Sequence, residues 1–264
     1  MNKILPNIKN ILLVASGKGG VGKSTVASNL AVALSRNGCA VGLLDADLYG
    51  PSIPLTFGIE DQRPVIKNDG DKEKFEPLVN HGVKVMSLGF LMKKADAVIW
   101  RGPMASNALS QLIFDTEWGE LDYLILDLPP GTGDIAITIA QKLPESKALI
   151  VITPQQMAVS DGRKAASMFG TNGISIEVLG IVENMSWFSP AKHPDEKYML
   201  FGQGGGVQLA QELAVPLLAQ IPLISDVCEL CDAGKTIFAS SEGLIVSAFE
   251  ELADKITRKN TVGA

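Results

Sequence analysis

The sequence predicts an α/β fold built on a doubly wound, mostly parallel β-sheet. Short apolar runs alternate with helical patterns along most of the 264 residues. The runs are unbroken, which is typical of parallel strands because helices cover both faces of the sheet. Such alternation implies right-handed crossover connections between the strands. Ligands of these folds bind where the strands end, so the carboxyl edge of the sheet is where functional residues are expected.

The elements follow in order along the chain. The predicted strands are Ile11–Ala15, Ala40–Leu44, Val83–Leu88, Tyr123–Leu126, Ala148–Thr153, Ile176–Val182 and Val215–Ile221. The last helix is predicted over Leu244 to Thr257, where apolar residues recur on one face. The turn signal at 68–71 predicts an edge hairpin within the insertion 58–82, and prolines and glycines make 186–206 irregular. Since no repeat or low-complexity linker occurs, residues 1–264 are predicted to form a single domain.

The glycine-rich segment 17–25 has the spacing of a phosphate-binding loop, with a predicted strand before it and a predicted helix after it. Glycines let backbone N–H groups approach phosphate oxygens, and the helix start favours the same anion. We expect Lys23 to neutralise the β- and γ-phosphates and the Ser24 hydroxyl to bind Mg²⁺. The residues predicted to bind a nucleoside triphosphate are Gly17, Lys18, Gly19, Gly20, Val21, Gly22, Lys23, Ser24 and Thr25.

Carboxylates follow two further predicted strands at the same edge of the sheet. We assign Asp47 to positioning the attacking water and Asp45 to the outer shell of the metal, the alternative being a pair of solvated turn aspartates. Asp127 ends the apolar run Leu124–Asp127, a Walker B arrangement, and is expected to hold Mg²⁺ through water. The loop 128–134 that follows contains two prolines and two glycines, which suits a switch that senses the γ-phosphate.

Composition excludes several classes of function. The net charge of −6 argues against nucleic-acid binding, which needs a basic surface. The amino terminus lacks the features of a signal peptide, and no apolar run is long enough to span a membrane. Three cysteines are too few for a disulfide framework. The sequence therefore predicts a cytoplasmic protein that binds neither membrane nor nucleic acid.

Lys18, directly after the first glycine, resembles the signature lysine of the deviant phosphate-loop ATPases. Longer strings at 45–52, 100–104, 118–123, 127–134 and 183–186 resemble the Mrp/ApbC family of iron–sulfur cluster carrier ATPases, over about residues 9–259. The resemblance implies the MinD and nitrogenase iron protein-like (SIMIBI) type of fold. It also implies ATP and Mg²⁺ as ligands, with Lys18, Lys23 and Asp47 in catalysis and Asn184 and Pro222 near the adenine. Finally, it implies a homodimer that carries a cluster to apo iron–sulfur proteins.

The chain departs from that family in its cysteines. The Cys-x-x-Cys pair that the family carries between its Asn-Met-Ser and Phe-Gly segments is missing here, and Cys228 and Cys231 form a pair about forty residues later. Two such pairs in a homodimer could supply the four thiolates of a [4Fe–4S] cluster. A buried or incidental pair and a redox dithiol are the alternatives. Without a cluster, the chain would be a nucleotide-dependent scaffold or a MinD-like regulatory switch.

Overall fold

An eight-stranded sheet forms the centre of the computed structural model, which describes residues 4–48, 50–69, 72–91, 102–171, 173–190, 192–193, 195–239 and 243–261. The strands are β1 (Ile8–Ala15), β2 (Val41–Asp45), β3 (Val65–Asp69), β4 (Lys72–Glu76), β5 (Leu78–Asn80), β6 (Val83–Ser87), β7 (Leu121–Asp127), β8 (Lys147–Ile152), β9 (Glu177–Glu183) and β10 (Leu217–Gln220). The helices are α1 (Lys23–Arg36), α2 (Ile53–Thr56), α3 (Gly102–Phe114), α4 (Asp134–Lys142), α5 (Gln156–Met168), α6 (Gly205–Glu212), α7 (Asp226–Asp232) and α8 (Leu244–Thr261). Short 3₁₀ helices cover Leu88–Leu91 and Ile237–Ala239.

The order of strands in this sheet is β10-β9-β8-β1-β7-β2-β6-β5. All neighbours pair in parallel except β5 and β6, which are antiparallel. The central strands are buried along their length, as in β2, because helices cover both faces. This arrangement confirms the predicted mostly parallel α/β sheet and each of the strands predicted for it.

Helix α8 packs against α1 and β10 and is amphipathic. Its buried residues recur at helical spacing: Ile245, Val246, Phe249, Leu252, Ala253 and Ile256. The helix begins at the predicted residue and ends one turn beyond the prediction. None of the described helices combines the length and apolar composition needed to cross a bilayer.

The insertion differs in part from its prediction. Strands β3 and β4 form the expected antiparallel hairpin, but as a separate two-stranded sheet. The strand at this edge of the main sheet is β5, a three-residue element too short to leave a sequence pattern. The turn residues Gly70 and Asp71 lie outside the described residues, as do Tyr49, Trp100 and Arg101 from the family-like strings and Pro194 from the irregular stretch.

The irregular stretch 186–206 has local order. Phe188 forms isolated β-bridges with Tyr198 and with Leu223, and α6 begins at Gly205. Backbone hydrogen bonds therefore fix this segment beside the end of β10 without making it a full strand.

Candidate nucleotide-binding site

The phosphate-binding loop occupies residues 16–22 between β1 and α1, at the carboxyl edge of the sheet. Gly22 has φ +78°, in the left-handed region, and a Cβ there would lie 2.2 Å from Asn184 Nδ2. Only glycine satisfies both the backbone angle and this close approach. Gly19 and Gly20 lie on the exposed side of the loop. The loop thus has the strand–loop–helix geometry that the sequence predicted.

Lys23 and Asp127 form a buried ion pair beneath the loop. Lys23 is only 6% exposed, and its Nζ lies 2.5 Å from Asp127 Oδ1 and 3.4 Å from Ser24 Oγ. Burial raises the pKa of Asp127, while the charge and hydrogen bond of Lys23 act in the opposite direction. The structure therefore places Lys23, Ser24 and Asp127 together, as expected for a phosphate and metal site.

The same residues fit a hydrated Mg²⁺ ion. Asp127 Oδ2 is buried and has no hydrogen-bond partner among the described residues. A buried carboxylate oxygen without a donor is costly unless another group satisfies it. Carboxylate and hydroxyl oxygens are the ligands that Mg²⁺ prefers, so Asp127 Oδ2 and Ser24 Oγ are a suitable set. Their role as metal ligands stays a prediction.

Asp45 lies beside Asp127 in the β2–β7 register and is fully buried. Its Oδ1 accepts the Asp47 N–H at 3.1 Å, and its Oδ2 accepts the Ile53 N–H and the Ser87 hydroxyl, each at 3.1 Å. Burial and the neighbouring charge of Asp127 raise the pKa of Asp45 to about 7. The side chain therefore organises the loop 46–52 and the start of α2, and its outer-shell metal role stays a prediction.

Asp47 is half-buried at the same edge. Burial is the main cause of the raised pKa of Asp127, Lys23 and a hydrogen bond from Ser24 act in the opposite direction, and the charge of Asp47 raises this pKa further. The two carboxylates are therefore close enough to interact. A carboxylate beside the expected Mg²⁺–phosphate position is suitably placed to orient a water molecule. The assignment of Asp47 to water positioning stays a prediction.

Lys18 points out of its own loop. Its Nζ donates to Gln155 Oε1, 3.3 Å away, immediately before α5. The loop 128–134, which follows β7, contacts the phosphate-binding loop directly, because the Gly131 N–H donates to the Ser16 carbonyl at 2.8 Å. Because this contact joins backbone to backbone, a conformational change in one of the two loops would be transmitted directly to the other. Gln155 carried no signal in the sequence that would have identified it.

Asn184 and Pro222 follow the ends of β9 and β10. Asn184 Nδ2 donates to the Val21 carbonyl of the phosphate-binding loop at 2.9 Å. The Ser186 N–H donates to the Ile221 carbonyl at 2.9 Å, which brings the segment that contains the buried Pro222 alongside. Asn184 therefore contacts the loop, Pro222 lies beside the segment that follows Asn184, and the contact of both residues with adenine stays a prediction.

The buried Glu183 has a structural role that the sequence analysis did not assign. Its Oε2 accepts the Gly206 N–H at 2.5 Å, and its Oε1 accepts the Ser186 hydroxyl at 2.9 Å. A Cβ at Gly205 would lie 2.4 Å from the Pro154 carbonyl oxygen, and one at Gly206 would lie 2.8 Å from Glu183 Cβ. The glycine run at 202–206 is the signal that could have indicated this close packing.

The cysteine pair lies apart from this hydrogen-bonded cluster, on α7. The Cys228 thiol is exposed, and its sulfur is 3.6 Å from Asp232 Oδ2. The nearby charge of Asp232 raises the pKa of Cys228, and burial raises the pKa of Cys231. Among the described residues, no group of three or more His, Cys, Asp or Glu side chains could hold a metal ion. The cluster-ligand hypothesis for the pair stays untested.

A glycine-rich loop above a buried lysine–aspartate pair, at the carboxyl edge of a parallel sheet, defines a P-loop NTPase. Residues 7–257 match the family described as ParA: NUBPL iron-transfer P-loop NTPase. The chain belongs to this family, in agreement with the resemblance to Mrp/ApbC proteins in the sequence.

Individual relatives agree with the family match. An iron-sulfur cluster carrier protein of Pseudomonas fragi is 50% identical over 94% of this chain and 85% of its own length. A protein of the same name from Synechocystis is 47% identical over 97% of this chain and 72% of its own length. Among solved structures, a nucleotide-binding protein of Archaeoglobus fulgidus in complex with ADP has a TM-score of 0.76 and 38% identity, covering 88% of this chain and 89% of the other.

Proposed function

We propose that this chain is an ATP-binding and ATP-hydrolysing homodimer that carries iron–sulfur clusters to apo-proteins. The observation that carries the proposal is the buried pair of Lys23 and Asp127, whose second carboxylate oxygen lacks a donor, beneath a phosphate-binding loop. Membership of an iron-transfer NTPase family supports the cargo, and an ADP-bound relative supports the nucleotide.

In the proposed mechanism, backbone N–H groups of the loop and the start of α1 bind the phosphates, and Lys23 offsets their charge. Bound Mg²⁺, held by Ser24 and through water by Asp127, would neutralise charge on the phosphate oxygens. Asp47 orients the attacking water. Loss of the γ-phosphate is sensed by the loop 128–134, which is already bonded to Ser16.

The proposed dimer faces its partner through the surface around Lys18. Lys18 is directed toward Gln155 rather than toward its own loop, so it is free of the phosphates that Lys23 serves. Met157, two residues after Gln155, is 74% exposed. Exposed apolar side chains beside a nucleotide site are typical of a surface that another chain covers. A second copy would bring its own Lys18 to the nucleotides.

A second candidate is a cluster-free, nucleotide-dependent scaffold or regulatory switch. One observation favours it: the pKa values of both thiols on α7 are raised, whereas cysteine binds iron in its thiolate form. If the cluster carrier proposal is right, Cys228 and Cys231 supply two thiolates per chain, so a four-thiolate cluster site needs both subunits. Iron content of the reconstituted dimer separates the two candidates.

The nucleotide half of the proposal is tested by ATP binding and steady-state hydrolysis in Lys23→Ala and Asp47→Ala. We expect Lys23→Ala to lose nucleotide binding, because the phosphates lose their buried cation. We expect Asp47→Ala to bind ATP but to lose hydrolysis by about 10²-fold or more. Lys67→Ala, on the exposed hairpin, is the matched control and should retain both. Normal turnover in Lys23→Ala would contradict the assignment.

A further inference from the structure

We propose that nucleotide binding controls access to the thiols of Cys228 and Cys231, so that α7 is the segment through which nucleotide state regulates thiol chemistry. The proposal rests on the nucleotide binding proposed above and adds a regulated site to it. Its basis is that α7 and the residues after it are joined to the nucleotide site by two separate physical links.

The first link runs through α2. Asp45 Oδ2, beside Asp127, accepts the Ile53 N–H at the start of α2. Just beyond the end of α2, Gly58 packs backbone to backbone against Gly234, which follows α7. A Cβ at Gly234 would lie 2.5 Å from Gly58 Cα. Since no side chain separates these two segments, a displacement of α2 is passed to α7 directly.

The second link runs through α1. The Asn29 side chain donates from Nδ2 to the carbonyl of Thr25, one turn earlier in the first turn of α1, at 2.9 Å, and its Oδ1 accepts the Ile237 N–H at 3.2 Å. The segment between Ile237 and α7 is short, and the Lys235 N–H donates back to the Leu230 carbonyl at 2.8 Å. The chain after α7 is therefore held by a residue of the helix that starts at the phosphates.

The two links differ in how easily they move. Helix α1 is packed in the core along most of its length, whereas α2 is a one-turn helix attached to the loop that carries Asp47. A γ-phosphate that draws this loop inward would move α2 relative to α1, and α2 packs against α7. Cys231 is half-buried in the present arrangement. We infer that this movement uncovers Cys231.

The thiols themselves report the state of α7. Since alkylation requires the reagent to reach the sulfur, a movement of α7 that exposes the half-buried Cys231 should speed its alkylation. Cys39, half-buried before β2, provides a control thiol in the same chain.

The test is the alkylation rate of each cysteine with iodoacetamide, measured by mass spectrometry with and without a non-hydrolysable ATP analogue and Mg²⁺. Nucleotide occupancy is measured by calorimetry on the same preparation. We expect Cys231 to react at least about fivefold faster with nucleotide, a ratio at the lower end of allosteric coupling, and Cys39 to be unchanged. An unchanged or slower rate at full occupancy would overturn this inference alone, and absence of nucleotide binding would overturn the proposed function as well.

A variant tests the α2 link itself. Gly234→Ala should separate Gly58 from α7 and make Cys231 reactive without nucleotide. Gly173→Ala is the matched control, because Gly173 also has positive φ but a Cβ there would meet no atom within 4 Å. Equal Cys231 reactivity in both folded variants would refute the role of this contact. If Gly234→Ala does not fold, the wild-type comparison decides the question alone.

Discussion

The buried pair of Lys23 and Asp127 allows a quantitative prediction for the nucleotide-free protein. Lys23→Met keeps most of the side-chain volume but leaves Asp127, which is fully buried, without its cation. Breaking a buried ion pair in this way costs about 3–5 kcal/mol of unfolding free energy, because an uncompensated charge remains inside the protein. The double variant Lys23→Met/Asp127→Leu should recover a large part of this loss, since no buried charge is left.

The loss of unfolding free energy in Lys23→Met should also depend on pH. Burial already raises the pKa of Asp127, and removal of Lys23 raises it further. A carboxyl with a raised pKa in the folded state stabilises the protein less as pH rises above the unfolded value. The destabilisation should therefore be larger at pH 8 than at pH 5.

Urea unfolding followed by circular dichroism, with EDTA and without nucleotide, measures these free energies. Lys9→Met is the control, because Lys9 Nζ lies 2.7 Å from Asp122 Oδ1 but its side chain is 71% exposed. Exposed ion pairs contribute little to the free energy of unfolding, so Lys9→Met should lose only a small fraction of the stability that Lys23→Met loses. Equal losses in the two variants, or no recovery in the double variant, would refute the reasoning.

Three further predictions follow from the same geometry. Gly22→Ala should abolish nucleotide binding in a filter-binding assay, because its Cβ would lie 2.2 Å from Asn184 Nδ2, whereas Gly38→Ala, with positive φ and free space, should bind normally. Asp45→Asn should remove a fall in unfolding free energy of roughly a few kcal/mol between about pH 4 and 7, since the pKa of Asp45 is raised to about 7; an identical pH slope in both proteins would contradict this. Lys18→Ala should bind ATP but fail to dimerise with it in sedimentation velocity, and an ATP-dependent dimer in this variant would refute the proposed interface.

Much of the fold could be predicted from sequence because the strands are buried on both faces and therefore read as unbroken apolar runs, as in β2 and β8. Strand β5 could not be predicted, since its three residues are exposed or half-exposed and too few to form a pattern. The hairpin of β3 and β4 was predicted from its turn, but its separation from the main sheet depends on contacts distant in sequence, such as the Phe75–Thr116 bridge.

The site was predictable to the extent that its chemistry lies in one contiguous loop. Segment 17–25 specifies its own geometry, and Lys23 and Asp127 meet because each ends or follows an inner strand. The roles of Asn29 and Glu183 as polar links could not be predicted, since Asn29 belongs to no motif, the 183–186 string gives Glu183 no role, and Ile237 and Gly206 are remote in sequence. Nor could sequence show that both oxygens of Asp45 are engaged by its own loop.

The central claim is that nucleotide turnover and cluster transfer belong to one protein. Anaerobic reconstitution with iron and sulfide, followed by transfer to an apo-form of a [4Fe–4S] enzyme, tests it most directly. The transfer rate is read from recovered enzyme activity, with and without ATP and Mg²⁺, and bound iron is measured in wild type and in Cys228→Ala/Cys231→Ala. We expect stoichiometric bound iron and a transfer rate that responds to ATP. Absence of bound iron in a preparation that hydrolyses ATP would contradict the carrier function and favour a cluster-free switch.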